Sequence, residues 1–364
     1  MSDAGPGPAA VVPDLNAFVL TSRVKEVRQV FADAADAERL GFKRLFVAER
    51  YDLREAGALL GGVAARTTRL EIGTGAIIPA TRPPLLTAAL GATMHALYGP
   101  RFNLGLGRGI ASHLKGQGLP VFGWEEYADY ISIVRRLWAG ETVSYDGPVG
   151  RFEALRMAET LDGPPPLIWT LIVGGPVACR WAARVADAVM LSPFLTPEAV
   201  HNAVTTIRKT REEYGLDPAI TICHPVVTAP DLDETTTLEV TRSRLVGYLF
   251  MPELGRTYTK LNGWDPEVIR DVLGHEQLAS MARPNVDQSF RLNQLHEVAR
   301  RIPEEWVRES AAVGSVAECL KTMGAFRDAG ADELAIYGTS PAQNAGLINA
   351  WRDRTTAYAP SGGS

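Results

Sequence analysis

A short set of residues has both the type and the placement to do chemistry. Glu49, Arg50 and Tyr51 stand together at the end of an apolar run, Arg44 to Ala48. Glycine falls at every second position in two places, Gly73 and Gly75 and then Gly105, Gly107 and Gly109, with Arg108 inside the second set. Gly174 and Gly175 precede Pro176, and Trp169, Thr170, Ser192, His224 and Tyr337 lie in or just past other apolar runs. Glycines at strand ends offer backbone N–H groups to an anion, and a following helix N-terminus adds its dipole. Acids are scarce in this set, and no Ser, His and Asp take a hydrolase spacing. The six histidines form no ligand pair such as His-x-x-x-His, so a metal site is not expected. The set suits a bound anionic cofactor better than hydrolysis. A tight turn explains any one glycine equally well, and Arg108 reads equally as a surface ion-pair partner.

Strands alternating with helices must position these residues. Leu70 to Gly75 and Phe102 to Leu106 are short, apolar runs of the kind a buried parallel strand needs. Between them, Leu86, Leu90, Met94 and Leu97 fall near helical spacing. The same alternation gives strands at Ala17, Arg44, Leu70, Phe102, Leu167, Ala188, Ala219 and Glu333. Helices are expected over Val24–Leu40, stopped by Gly41, and over Gly57–Ala65, Glu125–Ala139 and Pro197–Tyr214, the last capped by Thr196. Eight strands with intervening helices predict a (β/α)8 TIM barrel, whose site is built just past the strands' carboxyl ends. In an open doubly wound sheet the richest glycines would follow the first strand; here they follow the third and fourth.

Insertions interrupt the rhythm at 110–124, read as a loop, at 142–157, read as a β-hairpin, and at 231–310, a charged and mostly helical stretch. A single domain over 15–358 is expected, with residues 1–14 loose at the N-terminus and 359–364 a mobile tail. Of 364 residues, 46% are hydrophobic and 22% charged, ordinary for a globular protein with a sizeable core. A net charge of −5 gives no electrostatic pull toward nucleic acid or an anionic membrane. Three cysteines, far apart, fit a reducing cytoplasm, and the Gly/Pro/Ala-rich start lacks the features of a signal peptide.

The stretch IGTGAIIPATRPP followed by GPRFNLGLGRG resembles the core signature of the luciferase-like monooxygenase superfamily, and most of all its branch using the deazaflavin coenzyme F420. The resemblance implies a non-prolyl cis peptide at Gly75–Ala76, forming a bulge behind the flavin ring. It implies cofactor contacts at Glu49, Gly75, Ala76, Ile78, Arg108, Gly109 and His113, and at Gly174, Gly175, Val177 and Ala178. Ser192 matches a position near the substrate, and Tyr51, Trp169 and Phe194 are expected to line the pocket. Glu49, Arg50, Tyr51, His113 and His224 are the candidates for catalysis. A homodimer and a small organic substrate are implied too.

Two departures matter. Sugar-phosphate dehydrogenases of this branch carry Asp-His-Phe where this chain has Glu49-Arg50-Tyr51, and an Arg cannot lend and recover a proton at neutral pH. They also place a Glu base where Ile110 stands. The expected activity is hydride transfer between F420 and an organic substrate other than a sugar phosphate. The alternatives are an FMN-dependent monooxygenase using reduced flavin and oxygen, and a flavin-binding barrel without turnover.

Overall fold

The computed structural model describes residues 9–21, 26–279 and 290–357. Its barrel strands are β1 (Val12–Val19), β2 (Phe42–Val47), β3 (Glu71–Thr74), β4 (Phe102–Gly107), β7 (Leu167–Leu171), β8 (Ala188–Met190), β9 (Thr221–Pro230) and β11 (Glu333–Tyr337). They pair in parallel in the order β9-β11-β1-β2-β3-β4-β7-β8, and β8 pairs back to β9, closing the (β/α)8 barrel. Each strand lies at one of the eight expected places. β5 (Val143–Gly147) and β6 (Gly150–Leu155) form an antiparallel hairpin turned at Pro148-Val149, just after the expected Tyr145–Pro148 turn.

Four local expectations are corrected. A further strand, β10 (Ala311–Gly314), pairs with the carboxyl-terminal extension of β9, Ala311 opposite Val227; small residues at the edge of a charged helical stretch give little strand signal. A short helix, Ala111–Gly116, occupies the segment expected to be loop. Strand begins at Val12, inside the segment expected to be loose, while residues 1–8 and the tail from 358 lie outside the described residues. The first helix runs over Gln29–Leu40 rather than from Val24, with 22–25 again outside the described residues. Its end is the expected one: Gly41 takes φ 84°, and its N–H bonds back to the last turn. Thr196 likewise caps Pro197–Glu213, accepting from the Ala199 amide at 3.3 Å.

The barrel interior is filled in two layers. At the floor, the amino-terminal end of the strands, Arg44 pairs with Glu333 at 2.9 Å and Glu71 at 2.6 Å, and Lys43 reaches Glu333 at 2.5 Å. Asn16 donates to Glu333 at 2.8 Å and Trp169 to Asn103 at 3.0 Å. Buried charges are tolerated where partners answer them, and here they interlock. Above them lies an aromatic layer. Phe18 packs on Phe46 and Tyr337 with centroids 6.3 and 5.1 Å away, and Phe46 meets Trp169 edge-on at 5.2 Å. The glycines of the core stretch make this packing possible. A Cβ on Gly75 would stand 2.7 Å from the Phe18 ring, and one on Gly105 1.8 Å from the Thr74 carbonyl oxygen.

Candidate active site

A cavity of about 800 Å³ opens over the aromatic layer, at the carboxyl ends of β1 to β4 and β11. The helical segment after β9 supplies its far wall through Ser243, Arg244, Tyr248 and Leu254, while Phe18 and Tyr337 contribute from below. This is where a TIM barrel places its chemistry.

Glu49, two residues past β2, is a buried acid of this cavity, as is Asp33 from the first helix. The Glu49 side chain is 1% exposed, and Oε1 accepts from Arg82 Nη2 at 2.6 Å and from the Ala56 amide at 3.3 Å. Its Oε2 is buried with no hydrogen-bond partner among the described residues. Burial pushes the carboxyl above the ordinary carboxylate range, against the opposing pull of Arg82 and the Ala56 amide. Arg82 also reaches Glu55 at 3.2 Å, and Glu55 in turn caps the helix Ala56–Ala64. Beside this group the Tyr51 hydroxyl is buried with no hydrogen-bond partner among the described residues. Burial, reinforced by Asp52 and opposed by Arg50, pushes it up to about 12, so it is protonated at any ordinary pH. The Tyr51 ring meets His113 edge-on at 5.9 Å, and Arg50 pairs with Asp52 at 3.4 Å. Ala76, Ile78, Gly109 and Ile110 complete this side, and the Gly75–Ala76 peptide is cis.

Seven of the sequence candidates thus share one cavity: Glu49, Arg50, Tyr51, Ala76, Ile78, Gly109 and His113. Gly75 sits just behind it against Phe18. Arg108 turns away and stacks on Trp124, 4.4 Å from the ring centroid. Gly174, Gly175, Val177 and Ala178 form the start of the helix Pro176–Val185, outside the cavity, with Val177 57% exposed. Since β4 and β7 are neighbours, Gly107 opposite Leu171, this helix start and Arg108 rise from adjoining strands.

Four assignments are corrected. Trp169 does not line this cavity; it belongs to the barrel's interior layers, bonded to Asn103, and borders the smaller hollow beneath the strands. Ser192 is held by the Tyr258 hydroxyl, and Phe194 is fully buried beneath Tyr248 at 5.6 Å. Both lie behind the wall. His224 is fully buried outside the barrel against Phe326, centroids 4.4 Å apart, with both ring nitrogens unpartnered. Burial lowers its pKa to about 3, which leaves a neutral ring remote from the cavity. Arg82, Ser243, Arg244 and Tyr248 were missed. Arg82 had one signal, as the sole charge in IPATRPP just past β3; the others come from a segment whose helices gave no hint of which face turns inward. Among the described residues no group of three or more His, Cys, Asp and Glu stands ready to hold a metal.

A closed barrel with a deep cavity lined by buried carboxyls at its open end is the architecture of a TIM-barrel enzyme site. Residues 12–333 match the family model described as luciferase-like monooxygenase, and the chain belongs to that family. It is 28% identical over 186 residues to the 5,10-methylenetetrahydromethanopterin reductase of Methanolobus tindarius, covering 50% of this chain and 55% of that protein. It is 29% identical over 232 residues to the F420-dependent glucose-6-phosphate dehydrogenase of Microbacterium testaceum, covering 57% and 65%. The chain therefore spans less than two thirds of the length of these curated relatives. The structure of the coenzyme F420-dependent tetrahydromethanopterin reductase of Methanopyrus kandleri superposes with a TM-score of 0.75 at 18% identity, covering 94% of this chain and 99% of that one. At that identity the likeness speaks for the fold.

Proposed function

We propose that the chain is an oxidoreductase that moves a hydride between coenzyme F420 and a small organic substrate. The observation that carries this reading is the cavity itself: a largely apolar mouth with a buried acid past a strand end, Glu49, whose second oxygen has no partner among the described residues, whereas the other buried acid, Asp33, accepts from Gln29. The F420-dependent names of the relatives support the choice of cofactor. The cavity has room for a flat ring against Ala76 and Ile78 with a substrate above it. Gly109 continues from the cavity toward Arg108 and the helix start at Gly174–Val177, a route with backbone amides and a cation for an acidic tail. Once bound, the deazaflavin supplies the carbon that gives or takes the hydride.

The protein's part is positioning and proton handling. Arg82 fixes one oxygen of Glu49, leaving Oε2 to give or take a proton at the substrate. Tyr51 serves as a hydrogen-bonding group and not as a base, because burial holds its hydroxyl protonated, its pKa pushed up to about 12. Ile110 lines the cavity where sugar-phosphate dehydrogenases of this branch carry a base, and Arg50 stands where they carry an acid; both support a substrate of another class. The chain is further proposed to work as a homodimer in the cytoplasm. Among the described residues no helix is long and apolar enough to cross a membrane.

Parallel titrations of the purified protein with F420 and with FMN, followed by fluorescence, test the reading. Tight binding of F420 with weak binding of FMN is expected. Preference for FMN overturns it in favour of a monooxygenase supplied with reduced flavin. F420 binding without hydride exchange with any carbonyl or unsaturated compound would leave a barrel that binds without turnover.

A further inference from the structure

The charges lining the cavity are nearly all answered within the protein. Glu49 is held by Arg82, Arg50 pairs with Asp52, Glu239 meets His296 at 3.1 Å, and Asp33 accepts from Gln29 at 3.1 Å. Arg244 is the exception on the inner wall. Its guanidinium lies 5.7 Å from the Tyr337 ring centroid and donates to the Tyr337 hydroxyl, but no carboxylate among the described residues is within ion-pair distance, and its buried Nε has no hydrogen-bond partner among them. The neighbouring Ser243 is fully buried, lines the same cavity, and its hydroxyl is also unpartnered. A cation without a counter-charge, its Nε unmet, beside an unmet hydroxyl on the same wall is costly to bury unless a ligand answers them. The backbone here is unusual as well: Glu239–Ser243 forms a π-helical turn, a geometry that recurs at functional sites, directly before Arg244.

Resting on the reading of the cavity as a substrate site, we propose that Arg244 and Ser243 anchor a carboxylate on the substrate. The planar guanidinium matches a carboxylate fork to fork, and a serine hydroxyl can donate to the same group. One cation matches one negative charge, whereas a phosphate dianion calls for more; the cavity's remaining arginine, Arg291, is exposed at the rim. Apolar neighbours on the same segment, Met251 and Leu254, suit a hydrocarbon body. Arg244 stands over Tyr337 of β11 and Glu49 follows β2, with β1 between those strands. A substrate tied at Arg244 is thereby oriented with its reacting carbon toward Glu49.

Calorimetric titration of the full chain, with and without F420, using benzoate, hexanoate, benzamide and inorganic phosphate as probes, tests this. At least one of the carboxylates is expected to bind, with benzamide weaker than benzoate by about tenfold or more. R244Q should lose that preference by a similar factor and R244K should keep part of it, while R291Q changes it by less than about twofold. F420 affinity should be the same in R244K and the parent. The anchor is overturned if neither carboxylate binds, if benzoate and benzamide bind alike, if R244Q binds benzoate unchanged, or if phosphate binds more tightly than either carboxylate. Carboxylate binding lost in R244Q, in a protein that fails to bind F420, overturns the hydride-transfer reading and leaves the anchor standing. F420 binding without carboxylate binding does the reverse.

Discussion

In the proposed reaction Glu49 would handle the proton through one oxygen, the other being held by Arg82 and the Ala56 amide. Replacing it with Gln keeps the shape and removes the proton. Glu49→Gln is therefore expected to slow single-turnover hydride exchange by about 10² or more, while F420 affinity measured by fluorescence titration stays nearly unchanged. An equal loss of both would assign Glu49 to binding instead. His224 makes the opposite case, an ionisable group whose titration concerns stability. Its pKa falls from 6.5 to about 3 on folding, so between those values the unfolded chain takes up a proton that the folded chain refuses. Stability is thus intact above pH 6.5 and is lost as the pH falls through that window. From pH 7 to pH 5 the loss from this one ring is about 2 kcal/mol. His224→Phe, matched to the apolar pocket beside Phe326, should flatten that acid limb in urea unfolding; an unchanged pH dependence would mean the ring finds a partner. At this scale the sequence was legible where a residue stands directly past a strand end, as Glu49, Tyr51 and Ile78 do. It was not legible where depth or strand alternation decides. Cys223 faces Asn16 inside the barrel, and the next side chain, His224, points outward, an alternation that proximity to a strand end does not reveal.

The barrel strands were readable as elements because each is a short apolar run closed by glycine or a polar residue. What escaped was the reason for the glycines. In the core stretch they serve close packing at least as much as ligand binding: Thr74 Oγ1 accepts from the Gly105 amide at 2.8 Å and donates to the Gly105 carbonyl at 2.7 Å, clamping β3 to β4. Gly105→Ala would drive a Cβ into the Thr74 carbonyl, a backbone atom with nowhere to go. The expected cost is about 3 kcal/mol, a drop in Tm of about 5 °C or more in a thermal melt. A melt within about a degree of the parent would mean that the two strands separate more easily than this clamp implies. The stretch 231–310 was legible only as helical. Its inward face depends on a π-helical turn that shifts the register of everything after it, and side-chain spacing in a sequence assumes a regular helix.

For the whole molecule, the paired helices Ala56–Ala64 and Pro84–Tyr98 contain no Asp, Glu, Lys or Arg, yet Leu86 and Leu97 are 59% and 64% exposed on the second of them. An uncharged face with projecting leucines suits a copy of itself, as a two-fold interface requires. Sedimentation velocity at micromolar concentration should find a dimer, and the double variant Leu86→Glu, Leu97→Glu should sediment as a monomer with an unchanged circular dichroism spectrum. A monomeric parent would remove the dimer from the proposal. The floor of the barrel has a different consequence. Arg44, Glu71, Glu333 and Lys43, roofed by Phe18, Phe46 and Trp169, stand between the large mouth and the small hollow beneath the strands. That makes the mouth a cul-de-sac. In the proposed reaction, a ring against Ala76 would lie beneath the substrate, so it would enter before that substrate and leave after it, an order set by the shape of the mouth rather than by affinity.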